Sequence, residues 1–144
     1  MRVLFVAAPS QVDRRLVGHT GRRLPALFRH LGEIGVQIDL ALLGDTSGRR
    51  EAFAPAVASV RVLPALPPEA SALVTLPAAV RRLRSAVREL RPELVAANEP
   101  MPTIAAGLAT RGRKRPVLVY HRHHETGRRR LVTASRVAAR LADL

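Results

Sequence analysis

The chain has 144 residues, no cysteine and a formal net charge of +13. This length suits one domain that buries roughly 68% of its unfolded surface, and the absence of cysteine excludes disulfides, thiolate zinc sites and cysteine nucleophiles. Lys114 is the only lysine, so arginine carries nearly all of the positive charge. Arginine pairs well with phosphates and carboxylates, which makes nucleic acid, acidic lipid headgroups and phosphorylated substrates candidate partners, with an arginine-rich solvated surface as the alternative.

The first part of the chain predicts a strand, a long loop, a helix and a second strand. Residues 3–7 form a continuous apolar run, as expected for a parallel strand covered on both faces, and the run is too short for a signal peptide. Residues 24, 27, 28 and 31 are apolar at helical spacing, with Gly32 or Gly35 near the helix end. Apolar residues then alternate with Gln37 and Asp39 in a second strand, which a polar turn over residues 44–48 ends.

The rest of the chain repeats the alternation of strand and helix. Strands are predicted over residues 60–63, 93–97 and 117–120, and helices over about 71–90, 103–110 and about 128–144. Arg91 and Pro92 end the first of these helices, whose exposed face is rich in arginine. The pattern predicts a single domain, residues 1–144, with a Rossmann-like, doubly wound parallel sheet and a ligand crevice at the carboxyl ends of its strands.

No apolar run approaches the roughly 18 residues that a membrane span requires. From the sequence we therefore expect a soluble, cytoplasmic protein, or one that is at most peripheral at the inner face of a membrane.

Three groups of polar residues fall in loops that follow strands or precede helices. Gly18, His19, Thr20 and Gly21 precede the first helix, where backbone N–H groups can approach an anion or a sugar; an ordinary loop turn is the alternative. The sequence G-x-G-x-x-G of dinucleotide-binding folds is absent.

The second group, Asn98 and Glu99, follows the fourth strand and can hold substrate hydroxyls. The alternative is that Pro100 and Pro102 stiffen a loop in which Thr103 caps the next helix.

The third group follows the fifth strand and contains most of the histidines: His121, Arg122, His123, His124 and Glu125. A histidine here can act as a general base, which neighbouring arginines keep neutral by lowering its pKa, or it can simply shape the loop. Adjacent histidines on an extended segment point to opposite sides, so we expect no metal site.

Three segments have informative local sequences: residues 35–40, 91–98 and 116–124. They are similar, in that order, to the "GHEV", "kPDvvhaH" and "PvvyTrHH" motifs of one enzyme family, and the order of the elements also matches, from the first strand (residues 1–6) and the helix region (21–31) to a helix-to-strand junction (136–144). The chain thus resembles the N-terminal, acceptor-binding domain of family 4 glycosyltransferases, which have the two-domain GT-B architecture.

The resemblance implies transfer of a sugar from a nucleotide-diphosphate sugar to an acceptor bound by this domain, without a cofactor or a metal. His121 and His123 are the candidate catalytic residues, and the acceptor is a sugar, a glycoconjugate or a lipid-linked compound. The C-terminal domain that grips the nucleotide sugar, with its E-x7-E segment, is absent from the chain. We therefore expect a truncated chain that is inactive alone and needs that domain or a partner subunit.

The competing hypothesis is a basic module that binds nucleic acid or another polyphosphate without catalysis. It rests on the net charge and on the basic runs at residues 111–115 and 128–130. The four aromatic residues offer little for base stacking, so we do not expect nucleic acid as the partner. A further hypothesis places the arginine face of the helix over residues 71–90 on an anionic membrane.

Overall fold

Five strands form one parallel sheet in the computed structural model, which describes residues 1–8, 20–44, 49–63, 72–112, 116–121 and 129–143. The strands are β1 (Arg2–Ala7), β2 (Gln37–Leu43), β3 (Ser59–Leu63), β4 (Leu94–Asn98) and β5 (Val117–His121). They lie in the order β3-β2-β1-β4-β5, and every neighbouring pair is parallel. The Rossmann-like, doubly wound sheet expected from the sequence is confirmed.

The helices are α1 (Thr20–Glu33), α2 (Arg49–Phe53), α3 (Ala72–Leu90), α4 (Pro100–Ala109) and α5 (Arg129–Leu141), and a 3₁₀ turn covers Ala54–Ala56. Helix α1 ends just before Gly35, whose φ of 81° is readily adopted by glycine. Helix α3 ends at Leu90, as the Arg91-Pro92 pair predicts. Helix α2 and the 3₁₀ turn were not expected, because five residues are too few to show a helical period.

Two apolar cores lie on opposite faces of the sheet. On one face, α1 and α2 contribute Leu24, Phe28 and Phe53, which pack against alternate residues of β1 and β2. On the other face, α3, α4 and α5 cover the intervening residues of the same strands and of β4 and β5. Because both faces are covered, β1 and β2 are buried almost throughout, whereas the edge strands β3 and β5 are partly exposed.

Double coverage also buries the polar residue in the middle of β2. Alternation of apolar and polar residues is typical of a strand with one solvated face, yet Asp39 is only 1% exposed. The side of β2 that carries Asp39 also carries Ala41 and Leu43, which are fully buried beneath the helices on that face. A polar residue in this strand therefore marks a buried hydrogen-bonded group and not a solvated face.

Helices α4 and α5 pack unusually closely. A Cβ atom placed on Gly107 of α4 would lie 2.9 Å from the Cβ of Leu141 on α5 and 3.3 Å from a methyl carbon of Leu118 on β5. Just beyond α5, Asp143 is bound to β5 twice: its N–H donates to Leu118 O (2.8 Å), and its carboxylate accepts from Leu118 N–H (2.9 Å). These contacts fix the end of α5 against the sheet.

Candidate functional site

The strand order places a topological switch point between β1 and β4. The chain proceeds from β1 to β2 and β3 on one side and resumes with β4 and β5 on the other. Connections that leave neighbouring strands in opposite directions open a crevice at the carboxyl ends of those strands, where ligands of such folds bind. Asn98 is the last residue of β4, and Glu99 follows it directly at this edge.

Asn98 ends β4 and is a register partner of His121, which ends β5. The backbones of residues paired in this way on parallel strands lie side by side, at the same level of the sheet. Asn98 is 5% exposed, so its side-chain amide is buried at the carboxyl edge of the sheet. The structure thus brings together one residue from each of two predicted groups, which are separated by 23 positions in the sequence.

Glu99 has a backbone conformation that glycine usually occupies. Its φ is 69° and its ψ is 152°, at the N-cap position of α4. For a residue with a side chain, such a conformation costs on the order of 1–3 kcal/mol and is most common at functional sites. The sequence contained no signal for this strain, because a glutamate between a strand and a proline is compatible with an ordinary turn.

Thr103 does not cap α4, which corrects the alternative interpretation of this segment. Helix α4 begins at Pro100, so Thr103 lies within its first turn, where its hydroxyl donates to Glu99 O at 2.8 Å. Both prolines are accommodated because N–H groups in a helix's first turn have no intrahelical partner in any case. The two prolines therefore start the helix instead of stiffening a loop before it.

These prolines also limit what the end of α4 can bind. Pro100 and Pro102 have no N–H group, and the N–H of Thr103 already donates to Glu99 O. Only Met101 has an N–H group without an intrahelical partner in the first turn. The beginning of α4 is therefore poorly suited to a phosphate, which needs several converging donors.

The other predicted residues lie at or beyond the limits of the described chain. Thr20 and Gly21 begin α1 as its first two residues. Gly18 and His19, in the loop before α1, lie outside the described residues, as do the four residues after β5: Arg122, His123, His124 and Glu125. Of the candidate catalytic residues, only His121 has a described backbone position.

The sequence did not reveal a polar cluster at the opposite, amino edge of the sheet. Arg2 Nε donates to one carboxylate oxygen of Asp39 at 2.7 Å, and the hydroxyl of Ser59 donates to the other. Burial is the largest single influence and acts to raise the pKa of Asp39, but these hydrogen bonds outweigh it and the pKa lies below its usual value. The three residues belong to three adjacent strands, so only the assembled sheet brings them together.

A second ion pair connects β3 to α3 beside this cluster. Both terminal nitrogens of Arg61 donate to the carboxylate of Glu89, at 2.8 and 2.6 Å. The hydrogen bonds from Arg61 lower the pKa of Glu89 below its usual value. Both polar groups lie away from the crevice, which indicates a structural role in holding β3 and α3 to the sheet.

Two further properties concern only the described part of the chain. No helix there is both long and apolar enough to cross a bilayer. The same residues contain no group of three or more His, Asp or Glu side chains that could hold a metal ion.

The fold of the chain is similar to that of several solved structures. A UDP-N-acetylglucosamine 2-epimerase superimposes with a TM-score of 0.67 at 14% identity, over 100% of this chain and 40% of its own. The Neisseria meningitidis UDP-GlcNAc 2-epimerase, bound to UDP-GlcNAc, gives 0.64 at 14% identity, over 99% and 39%. MurG from Acinetobacter baumannii gives 0.63 at 18% identity, over 94% and 38%.

At these identities the similarity concerns the fold alone, and the chain spans about 40% of the length of these structures. No curated protein matches the chain in sequence. The model of one protein family, described as a glycosyl transferase 4-like domain, matches residues 18–144. With most of its length matched, from the loop before α1 through α5, the chain belongs to the glycosyl transferase 4-like domain family.

Proposed function

We propose that this chain binds the acceptor in a glycosyl transfer whose donor is a nucleotide-diphosphate sugar. The observation that carries the proposal is the pairing of Asn98 with His121 at the carboxyl edge, next to the strained Glu99. An amide, a carboxylate and an imidazole offer the donors and acceptors that sugar hydroxyls require. Membership of a glycosyltransferase family gives these groups their chemical context.

Glycosyl transfer needs a base for the acceptor hydroxyl and positive charge for the departing diphosphate. We assign the base to His121 or His123, and acceptor contacts to Asn98, Glu99, Arg122, His124 and Glu125. The loop residues Gly18 and His19, together with Thr20 and Gly21 at the start of α1, complete the proposed binding surface. No step of this proposal requires a metal or another cofactor.

The proposal assigns phosphate binding to the start of α1 and to a second domain, and not to the start of α4. The start of α4 has a single N–H group to offer, whereas the first four residues of α1 all have one. An anion within this chain would therefore bind at α1, which follows β1 and so begins at the carboxyl edge. Most contacts with the nucleotide are assigned to a second Rossmann-like domain, either covalently linked or a partner subunit, so this chain alone would be inactive.

The test uses extracts of the source organism from cells that make the chain and from cells that lack it. Each extract is incubated with radiolabelled UDP-N-acetylglucosamine, UDP-glucose or GDP-mannose, and the label in lipid and polymer fractions is counted. The extract supplies any partner subunit. We expect transfer from at least one donor only when the chain is present.

Variants then locate the site. Replacing the catalytic histidine, by His121→Ala or His123→Ala, should lower transfer by about 10²-fold or more. The matched control is His30→Ala, which alters an exposed histidine of α1 that pairs with Glu33. Chain-independent transfer from all donors, or equal losses in all three variants, would contradict the proposal.

A further inference from the structure

The outer surface of one helix layer is strongly basic. Helices α3, α4 and α5 cover the same sheet face, with α4 in contact with both of the others. Helices α3 and α5 contain four arginines each, and α4 contains no charged residue. The three helices together have one acidic residue, Glu89, whose carboxylate is already bound by Arg61.

Helix α3 presents a line of positive charge that nothing in the described chain neutralises. Arg81, Arg82 and Arg88 are exposed and form no hydrogen bond or ion pair with a described residue. Val74 lies seven residues before Arg81, and Arg88 lies seven residues after it, so the three side chains share one helix face. Val74 is 82% exposed, an unusual position for a large apolar residue.

Helix α5 repeats this combination. Arg136 and Arg140 are exposed, and Val137 between them is 42% exposed. Neighbouring helices in a layer lie about 10 Å apart, so the arginines of α3 and α5 are roughly 20 Å from one another. A charge distribution this broad matches an extended, flat partner better than a small ligand in a pocket.

We propose that this face, formed by the exposed residues of α3 and α5, binds the surface of an anionic lipid bilayer. Arginines bind lipid phosphates, and the cytoplasmic leaflet attracts basic groups through its negative potential. Exposed valines among the arginines fit the boundary between headgroups and acyl chains, where apolar side chains leave water. A nucleic acid offers them no such environment, and Phe5, Phe28 and Phe53 are too deeply buried to stack on bases.

The test measures binding of the full 144-residue chain to sedimented vesicles in 0.15 M salt. The vesicles contain phosphatidylcholine alone, or phosphatidylcholine with about one third phosphatidylglycerol. The expected result is binding to the anionic vesicles only. The double variant Arg81→Gln with Arg88→Gln should reduce the partition coefficient about 30-fold, at about 1 kcal/mol for each basic residue at such a surface.

A matched control removes two arginines from the opposite sheet face. Arg29 on α1 and Arg50 on α2 are also exposed, so Arg29→Gln with Arg50→Gln lowers the net charge equally. This control should keep binding within about threefold of the wild type. A third variant, Val74→Ser, should weaken binding at every salt concentration, because its effect is not electrostatic.

Three results would overturn the proposal. The first is an equal loss of vesicle binding in the two double variants, and the second is equal binding of the wild type to both kinds of vesicle. The third is a chain that binds no vesicles but binds duplex DNA through Arg81 and Arg88. The readout is vesicle binding and not sugar transfer. The inference can therefore fail while the proposed function holds, and the reverse is equally possible.

Discussion

Replacing Gly107 with alanine tests whether α4 and α5 are packed as closely as the structure indicates. The new Cβ would lie 2.9 Å from the Cβ of Leu141, whereas carbon atoms in contact are separated by about 3.5–4.0 Å. The Cβ of Leu141 is attached directly to the backbone, so no side-chain rotation can move it away. Relief requires α5 to shift by roughly 0.6–1 Å, and Leu118 must move its methyl group as well.

Overpacking of this kind costs about 1–3 kcal/mol, and the higher helix propensity of alanine returns about 1 kcal/mol. Because the clashing Cβ of Leu141 is attached to the backbone, we place the cost in the upper part of this range, at about 2–3 kcal/mol. Gly107→Ala should therefore lower the free energy of unfolding by about 1–2 kcal/mol, measured from the midpoint and slope of urea denaturation. The matched control is Gly32→Ala, also helical, where a new Cβ meets no atom within 4 Å. It should raise stability by about 0.4–1 kcal/mol. A Gly107→Ala protein as stable as the wild type would refute the close packing of α4 on α5.

Three further predictions concern the buried carboxylate and the two strained residues. Because the pKa of Asp39 is lowered in the folded state, its stabilising effect is complete above the unfolded pKa of about 3.9 and is lost as the pH falls below that value. Asp39→Asn should thus lower the free energy of unfolding, measured by urea denaturation, by about 2 kcal/mol at pH 7. The difference from the wild type should shrink below about pH 4. A difference that stays constant down to about pH 2 would contradict a lowered pKa of Asp39. Glu99→Gly should be about 1 kcal/mol more stable than Glu99→Ala, since only glycine relieves the positive φ, and equal melting temperatures would argue against strain. Arg91 has a φ of 47° just after α3, so Arg91→Gly should raise the free energy of unfolding by about 0.5–1 kcal/mol. Arg88→Gly, inside the helix, should lower it by about 1 kcal/mol. Melting temperatures that shift in the same direction in both variants would contradict this account.

The sequence allowed prediction of the order and type of the main elements, because strands and helices of a doubly wound sheet alternate with distinct apolar periods. The buried strand β1 and the helix α3 were predicted in this way, the second with its stop at Leu90. Helix α2 and the 3₁₀ turn that follows were missed, since they are too short to show a period. The family was also identified from the order of its motifs, and the match over residues 18–144 confirms it.

The site was predictable only in part. Position after a strand is visible in a sequence, and this placed Asn98, Glu99 and His121 at the carboxyl edge. The pairing of Asn98 with His121 depends on the register between β4 and β5, which no local pattern specifies. The buried hydrogen bonds of Asp39 could not be predicted for a similar reason, because its partners Arg2 and Ser59 lie on separate strands. The roles of the candidate histidines stay predictions.

The central position of β1 has a consequence for how this protein folds during synthesis. Strand β1 leaves the ribosome before the other strands of the sheet, and it can pair with β2 soon after β2 is made. The other edge of β1 pairs with β4, which begins at Leu94. About 50 residues must therefore be made after β2 before that edge is covered. During this interval an apolar strand edge is open to pairing with other chains. Slow translation between β3 and β4 should therefore increase aggregation of the nascent chain, whereas slow translation after β5 should not.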